Sequence, residues 1–116
     1  MFEVSSPVKI VVDQNGEFTF VMSTGRQFDY STPYRNILKD ISSILECKAA
    51  VKLNLPPYEH GEDFVEGHMS IGQSTVKIYF EHALSYLSFS SDKRNCLEYI
   101  LDEIRRHIKI VNNQSN

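Results

Sequence analysis

The segment YEHGEDFVEGHMSIGQSTVKIYFEH, residues 58–82, concentrates side chains that can bind a metal ion, transfer a proton or carry charge. It contains three of the chain's four histidines and five acidic residues, but only one lysine. A histidine beside carboxylates can bind Zn²⁺ or Mn²⁺, and a His–Glu pair can transfer protons near neutral pH. His68 and Glu66 have the side chains for either role. One hypothesis is therefore a small metal-dependent or acid/base enzyme centred on these two residues.

No motif elsewhere in the chain supports this enzymatic interpretation. The sequence contains no HExxH, Walker, GxSxG or GxGxxG motif, and many metal, phosphate and nucleophile sites depend on such spacings. Cys47 and Cys96 form no CxxC pair and are interpreted as small buried apolar residues in a reducing compartment. We therefore expect a protein without catalytic activity, bound cofactor or metal ion.

The same segment also carries the chain's charge imbalance. The residues between Pro56 and His82 include five acids and one base, whereas the rest of the chain has ten acids and eleven bases. The formal net charge of −3 argues against a nucleic acid partner, because surfaces that bind nucleic acids are basic. An acidic patch beside aromatic rings is typical of a surface that binds a basic protein, since the rings anchor the partner and the charges steer it. The predicted partner-binding residues are Tyr58, Glu59, Glu62, Asp63, Phe64, Glu66, His68, Tyr79 and Glu81.

Two predicted strands would bring part of this set together. Alternation in FVEGHMSI places Glu66 and His68 on one face, and alternation in STVKIYFEH places Tyr79 and Glu81 on the solvent face. If a turn at Gly72–Gln73 pairs the two strands, these four side chains become cross-strand neighbours. The alternative interpretation is that they only face water, as alternate residues of half-buried strands do.

Apolar periodicity and turn residues predict the remaining elements. Asn15–Gly16 suits a type I′ turn, because both residues tolerate positive φ, and indicates a β-hairpin. Pro33 suits the first position of a helix and Thr32 suits its N-cap, and apolar residues then recur at helical spacing. Pro56–Pro57 ends a strand that alternates from residue 51 to residue 55. The predicted elements are hairpin strands at 8–12 and 17–23, a short strand at 26–30, a helix from Pro33, strands at 51–55, 64–71, 74–82 and 84–90, and a helix from 93 to about 110, capped by Ser91 or Asp92.

This order, βββ-α-ββββ-α, predicts an α+β fold in which two amphipathic helices pack on one face of an antiparallel sheet of six to seven strands. Consecutive strands are expected to pair as a meander, since their connections are short. Residues 1–111 are expected to form a single domain, and residues 112–116 a polar tail. The N-terminus lacks the basic and apolar regions of a signal peptide, and no apolar run approaches the ~20 residues of a membrane span. We therefore expect a soluble cytoplasmic protein without a membrane partner.

A small acidic α+β domain with an acidic and aromatic stretch such as PPYEHGEDFVEG resembles the bacterial immunity proteins of polymorphic-toxin and contact-dependent growth inhibition systems. Members of that group bind a cognate toxin, often a basic nuclease, and block its active site or its substrate surface. The resemblance covers size, charge placement and general architecture, and it assigns no binding residue by position. It implies a non-enzymatic inhibitor that binds one protein partner.

Overall fold

The computed structural model describes residues 2–4, 8–23, 33–59, 62–81, 86–106 and 108–110. In chain order, the elements in these ranges are β1 (Phe2–Val4), β2 (Val11–Val12), β3 (Phe18–Ser23), α1 (Pro33–Glu46), β4 (Val51–Asn54), β5 (Phe64–Ile71), β6 (Ser74–Glu81), β7 (Tyr86–Ser91), α2 (Arg94–Arg105) and β8 (Ile108–Ile110). The predicted strand at 26–30, the predicted N-cap Thr32 and the tail 112–116 lie outside the described residues. Within these ranges, no helix is both long enough and apolar enough to cross a membrane.

Six of the strands form one antiparallel sheet with the order β2-β3-β7-β6-β5-β4, and the α+β class predicted from the sequence is confirmed. From β4 to β7 each strand pairs with the next one along the chain, as expected for a meander. The hairpin β2–β3 joins this meander through a pairing of β3 with β7. The pairing of β3 with β7 joins segments that are far apart in the sequence. It therefore depends on tertiary packing and could not be predicted from the short connections between neighbouring strands.

One face of this sheet forms the core together with the helices. Alternate residues along β3, β5, β6 and β7 are buried and form a single apolar cluster with residues from both helices. Phe20 and Phe89, which pair in register, stack with their ring centroids 5.0 Å apart. Because each helix has one apolar stripe, its opposite side faces away from the sheet. The buried stripes consist of Leu38, Ile41 and Leu45 on α1, and of Leu97, Ile100, Leu101 and Ile104 on α2.

The β2–β3 hairpin has a three-residue loop instead of the predicted two-residue type I′ turn. The N–H of Asp13 donates to the carbonyl of Glu17 at 2.8 Å, so residues 14–16 form the loop. Gly16 closes it with φ +79°, a conformation that glycine adopts without steric cost. The Asp13 carboxylate accepts hydrogen bonds from the N–H groups of Asn15 and Glu17. These side-chain contacts to the backbone favour the longer loop.

The C-terminal helix is shorter than predicted. It ends at Arg105 and not near residue 110, and residues 108–110 form β8, which pairs in parallel with β1. The apolar residues explain the wrong prediction, because Ile108 follows Ile104 by four positions and precedes Ile110 by two. A spacing of four fits a helix and a spacing of two fits a strand, so the pattern alone does not distinguish them. Pairing with β1 favours the strand conformation for residues 108–110.

Two predictions about residues near helix ends are also wrong. Lys93 is the N-cap of α2, while the hydroxyl of Ser91 accepts a hydrogen bond from the Lys93 N–H at 3.1 Å. Cys47 directly follows the last residue of α1 and is exposed rather than buried, because the apolar stripe of the helix has ended. Cys96 is half-buried against the core, and this burial raises the pKa of its thiol.

Candidate functional site

The face of the sheet opposite the helices carries polar and aromatic side chains. None of its residues is buried, and its apolar residues Val21 and Phe64 are 44% and 55% exposed. No described helix or strand covers it. We call it the open face and define it by Thr19, Val21, Phe64, Glu66, His68, Lys77, Tyr79, Glu81, Tyr86, Ser88 and Ser90.

The turn between β5 and β6 sets the register of the candidate residues. Gly72 has φ +58° and begins a two-residue turn at the position predicted from the sequence. In the resulting register Glu66 lies directly opposite Tyr79, and Phe64 lies directly opposite Glu81. Because residues in such positions are close enough for their side chains to interact, two carboxylates and two rings meet on the open face.

Three aromatic residues are neighbours of Glu81 on the open face. In the pairing of β6 with β7, Glu81 lies opposite Tyr86. Phe64 on β5 and Tyr86 on β7 therefore flank Glu81 on its two sides. The Tyr79 ring centroid is 6.0 Å from that of Phe64 and 5.7 Å from that of Tyr86. The Tyr79 hydroxyl donates to Oε1 of Glu81 at 3.2 Å. We call Phe64, Tyr79, Glu81 and Tyr86 the Glu81 cluster.

The Tyr79 phenol remains protonated to unusually high pH. Partial desolvation, together with the neighbouring Tyr86 and the Glu81 carboxylate, raises the pKa of Tyr79 to about 12. A protonated phenol is a hydrogen-bond donor. Tyr79 is therefore available as a hydrogen-bond donor to Glu81.

A partly open depression of about 420 Å³ adjoins the Glu81 cluster on the open face and shares Tyr79 with it. Inside it the Lys77 ammonium forms an ion pair with Glu17 at 3.0 Å, and this hydrogen bond raises the pKa of Lys77. The Lys77 charge is therefore matched by a carboxylate from the β2–β3 loop. The depression is lined by Asn15, Glu17, Glu66, Gly67, His68, Lys77, Ile78, Tyr79, Ser88 and Ser90.

His68 and Glu66, the residues of the enzymatic hypothesis, lie two positions apart on the same face of β5. The register places His68 opposite Lys77, whose charge does not favour a second cation, and Glu66 opposite Tyr79. Among the described residues, no three His, Cys, Asp or Glu side chains form a group that could hold a metal ion. The arrangement of these residues gives no specific support to an enzymatic role.

Glu62, another of the predicted partner-binding acids, forms a bidentate ion pair with α1. Arg35 Nε donates to Oε2 of Glu62 at 2.9 Å and Arg35 Nη2 donates to Oε1 at 2.8 Å. The two side chains are only 12% and 9% exposed. The hydrogen bonds to Glu62 raise the pKa of Arg35, and its guanidinium lies 5.7 Å from the ring centroid of Tyr58. We call Arg35, Tyr58 and Glu62 the α1 clamp, and it lies apart from the Glu81 cluster.

The remaining predicted acids, Glu59 and Asp63, are exposed in the connection between β4 and β5. The Glu59 carbonyl accepts a hydrogen bond from the Glu62 N–H at 3.1 Å, which forms a turn beside the α1 clamp. Within the described ranges neither carboxylate forms an ion pair. Because Asp63 directly precedes Phe64, it places a further negative charge beside the Glu81 cluster.

Two residues with contacts on or beside the open face, Tyr86 and Glu17, are not among the partner-binding residues predicted from the sequence. Tyr86 completes the Glu81 cluster, and Glu17 pairs with Lys77 across the sheet. Tyr86 could have been found, because Leu87 and Phe89 alternate with it and are buried. Glu17 could not, because its contact depends on the pairing of β3 with β7.

Comparisons with protein-family models, with curated proteins and with solved structures find no match for the chain. The function is therefore argued below from the geometry of the open face.

Proposed function

We propose that the protein is a non-enzymatic inhibitor that binds one basic protein through the open face of its sheet, as an immunity protein binds its cognate toxin in the bacterial cytoplasm. The observation that carries this proposal is the Glu81 cluster, in which three aromatic residues neighbour a carboxylate on a sheet face that no described helix or strand covers. Aromatic anchors at the centre of a patch supply much of the binding energy in protein interfaces.

The balance of charge on the open face favours a basic partner. Glu17 and Lys77 neutralise each other in an ion pair. Glu66 and Glu81 form no ion pair with any described residue, so they add two uncompensated negative charges. Such a face repels the phosphates of nucleic acids and speeds association with a positively charged protein.

The apolar part of the open face favours a protein over a small ligand. Val21 and Phe64 are exposed on it, and Val11 extends the same side of the sheet onto β2 at 52% exposure. A protein that covers the open face would bury these apolar side chains. The depression on the same face is lined mainly by polar residues, whereas sites for small ligands are mostly apolar.

The partner is first captured from the host and purified. Its affinity for a variant with reversed charges on the open face then tests the proposal. The test variant carries Glu66→Lys with Glu81→Lys, and the matched control carries Asp40→Lys with Glu46→Lys on exposed positions of α1. Both variants change the net charge equally. We expect the dissociation constant of the test variant to rise by about 100-fold or more and its salt dependence to flatten.

The control variant should bind with an affinity within about threefold of the wild type, since rim or distant charges contribute little to affinity. Circular dichroism and thermal melting show that both variants are folded before binding is measured. Equal affinity of the test variant and the wild type would overturn the proposal. An equal loss in both variants would assign the effect to net charge and would overturn it as well.

A further inference from the structure

We infer that the Glu81 cluster is an arginine-binding site, which receives one arginine side chain of the basic partner. This inference rests on the proposed function and adds to it the chemistry that the open face recognises. Guanidinium is planar, stacks on aromatic faces and donates two parallel hydrogen bonds to a carboxylate. A binding site for it therefore needs a carboxylate and neighbouring aromatic rings.

The Glu81 cluster has both of these features. Phe64 and Tyr86 flank Glu81 on the two neighbouring strands, and the Tyr79 hydroxyl donates to Oε1. A carboxylate has about four acceptor positions, so one hydrogen bond from Tyr79 leaves both Glu81 oxygens able to accept further hydrogen bonds. Glu66, which lies opposite Tyr79, adds a second negative charge within the same patch.

The α1 clamp shows the same combination of groups with its arginine in place. Arg35 donates twice to the Glu62 carboxylate and lies over the Tyr58 ring. The Glu81 cluster supplies the corresponding carboxylate and rings, but no described residue supplies its cation. The difference is location, because the Arg35 and Glu62 side chains are only 12% and 9% exposed whereas the cluster lies on the open face.

The geometry favours arginine over lysine. Lysine carries a compact and strongly hydrated ammonium that does not stack and cannot donate in a bidentate manner. In the Glu81 cluster the carboxylate is bordered by rings, so a cation reaches it only by losing water against an aromatic surface. The guanidinium is weakly hydrated and makes this exchange at lower cost.

Two pentapeptides, GGRGG and GGKGG, both acetylated and amidated, test this inference by NMR titration of the full chain. We expect GGRGG to give saturable shifts in the signals of Tyr79, Glu81 and Tyr86. Its dissociation constant should be at least about fivefold lower than that of GGKGG. Glu81→Gln and Tyr79→Leu should each abolish this preference, while Glu98→Gln on an exposed position of α2 should preserve it.

Three results would overturn the arginine site: no saturable binding, equal affinity for the two peptides, or shifts that lie outside the Glu81 cluster. None of these three results decides the proposed function, which the charge-reversal experiment tests separately. If charge reversal at Glu66 and Glu81 still removes partner binding, the inhibitor proposal stands without an arginine site. If GGRGG binds the cluster but charge reversal leaves partner affinity unchanged, the arginine site stands and the inhibitor proposal falls.

Discussion

At the scale of single residues, the Arg35–Glu62 ion pair shows how position decides the role of an acidic side chain. Both side chains are almost completely removed from water and are joined by two short hydrogen bonds. Breaking a buried pair by neutralising one partner leaves the other charge without compensation, which costs more than the pair itself contributes. Glu62 therefore has a structural task that its exposed neighbours Glu59 and Asp63 do not have.

We predict that Glu62→Gln lowers the free energy of unfolding by about 2 kcal/mol, because Arg35 then stays nearly buried without a carboxylate. Glu59→Gln is the matched control, since Glu59 is exposed three positions earlier in the same connection. Its effect should remain within about 0.5 kcal/mol. Urea denaturation followed by fluorescence measures both values, and similar stabilities for the two variants would contradict the role given to the α1 clamp.

At the scale of elements, a glycine in β5 allows the residues at the end of β4 to pack closely against β5. Gly67 is buried in β5, and a Cβ atom at this position would lie 2.6 Å from Cδ2 of Leu55 and 2.7 Å from the carbonyl oxygen of Asn54. Asn54 and Leu55, at the C-terminal end of β4, therefore pack directly against the backbone of β5. A side chain at Gly67 would push these strands apart at the point where the connection toward Phe64 begins.

Gly67→Ala is expected to destabilise the fold by about 1–3 kcal/mol, the usual cost of overpacking a core. Adding Leu55→Ala should recover part of this loss, because it removes the side-chain clash but not the contact with the Asn54 carbonyl. Ser70→Ala, on the same strand, is the control. Thermal melting of the wild type and the three variants measures the effect. A Gly67→Ala variant as stable as the wild type would show that β4 can shift to accommodate the added methyl group.

At the scale of the whole molecule, the two ends of the chain meet in a parallel pair of strands. Phe2 pairs with Ile108 and Val4 with Ile110, apart from the six-stranded sheet. The pair forms only when the N-terminal segment and the segment after α2 are brought together by the rest of the fold. It therefore has few local contacts to stabilise it and depends on both ends being present.

Deletion of residues 1–4 should therefore remove the protection of the backbone amides at 108–110 against hydrogen exchange, because their partner strand is gone. Amides in β6, at the centre of the sheet, should retain protection close to that of the full chain. Deletion of residues 112–116 serves as the control and should leave both sets unchanged. Unaltered exchange at 108–110 after the N-terminal deletion would contradict the importance of this pairing.

Much of the fold could be predicted from the sequence, because the relevant signals are local. The alternation of Val76, Ile78 and Phe80 with polar residues marks β6, and Gly72 marks the turn before it. The same alternation placed Glu66 and Tyr79 on one face. The end of α2 was predicted wrongly, since the pattern from Ile104 onward satisfies both helix and strand periods.

The sequence by itself determined the α+β class, the two amphipathic helices, the meander from β4 to β7 and the acidic character of the open face. Only the tertiary structure decided that β3 pairs with β7, that Glu62 pairs with Arg35, and that Glu17 pairs with Lys77. The reason is physical, because periodicity reports which face a side chain occupies and carries no information on which distant segment covers it. Distant pairings are selected by the free energy of the whole core, and that quantity depends on all the elements together.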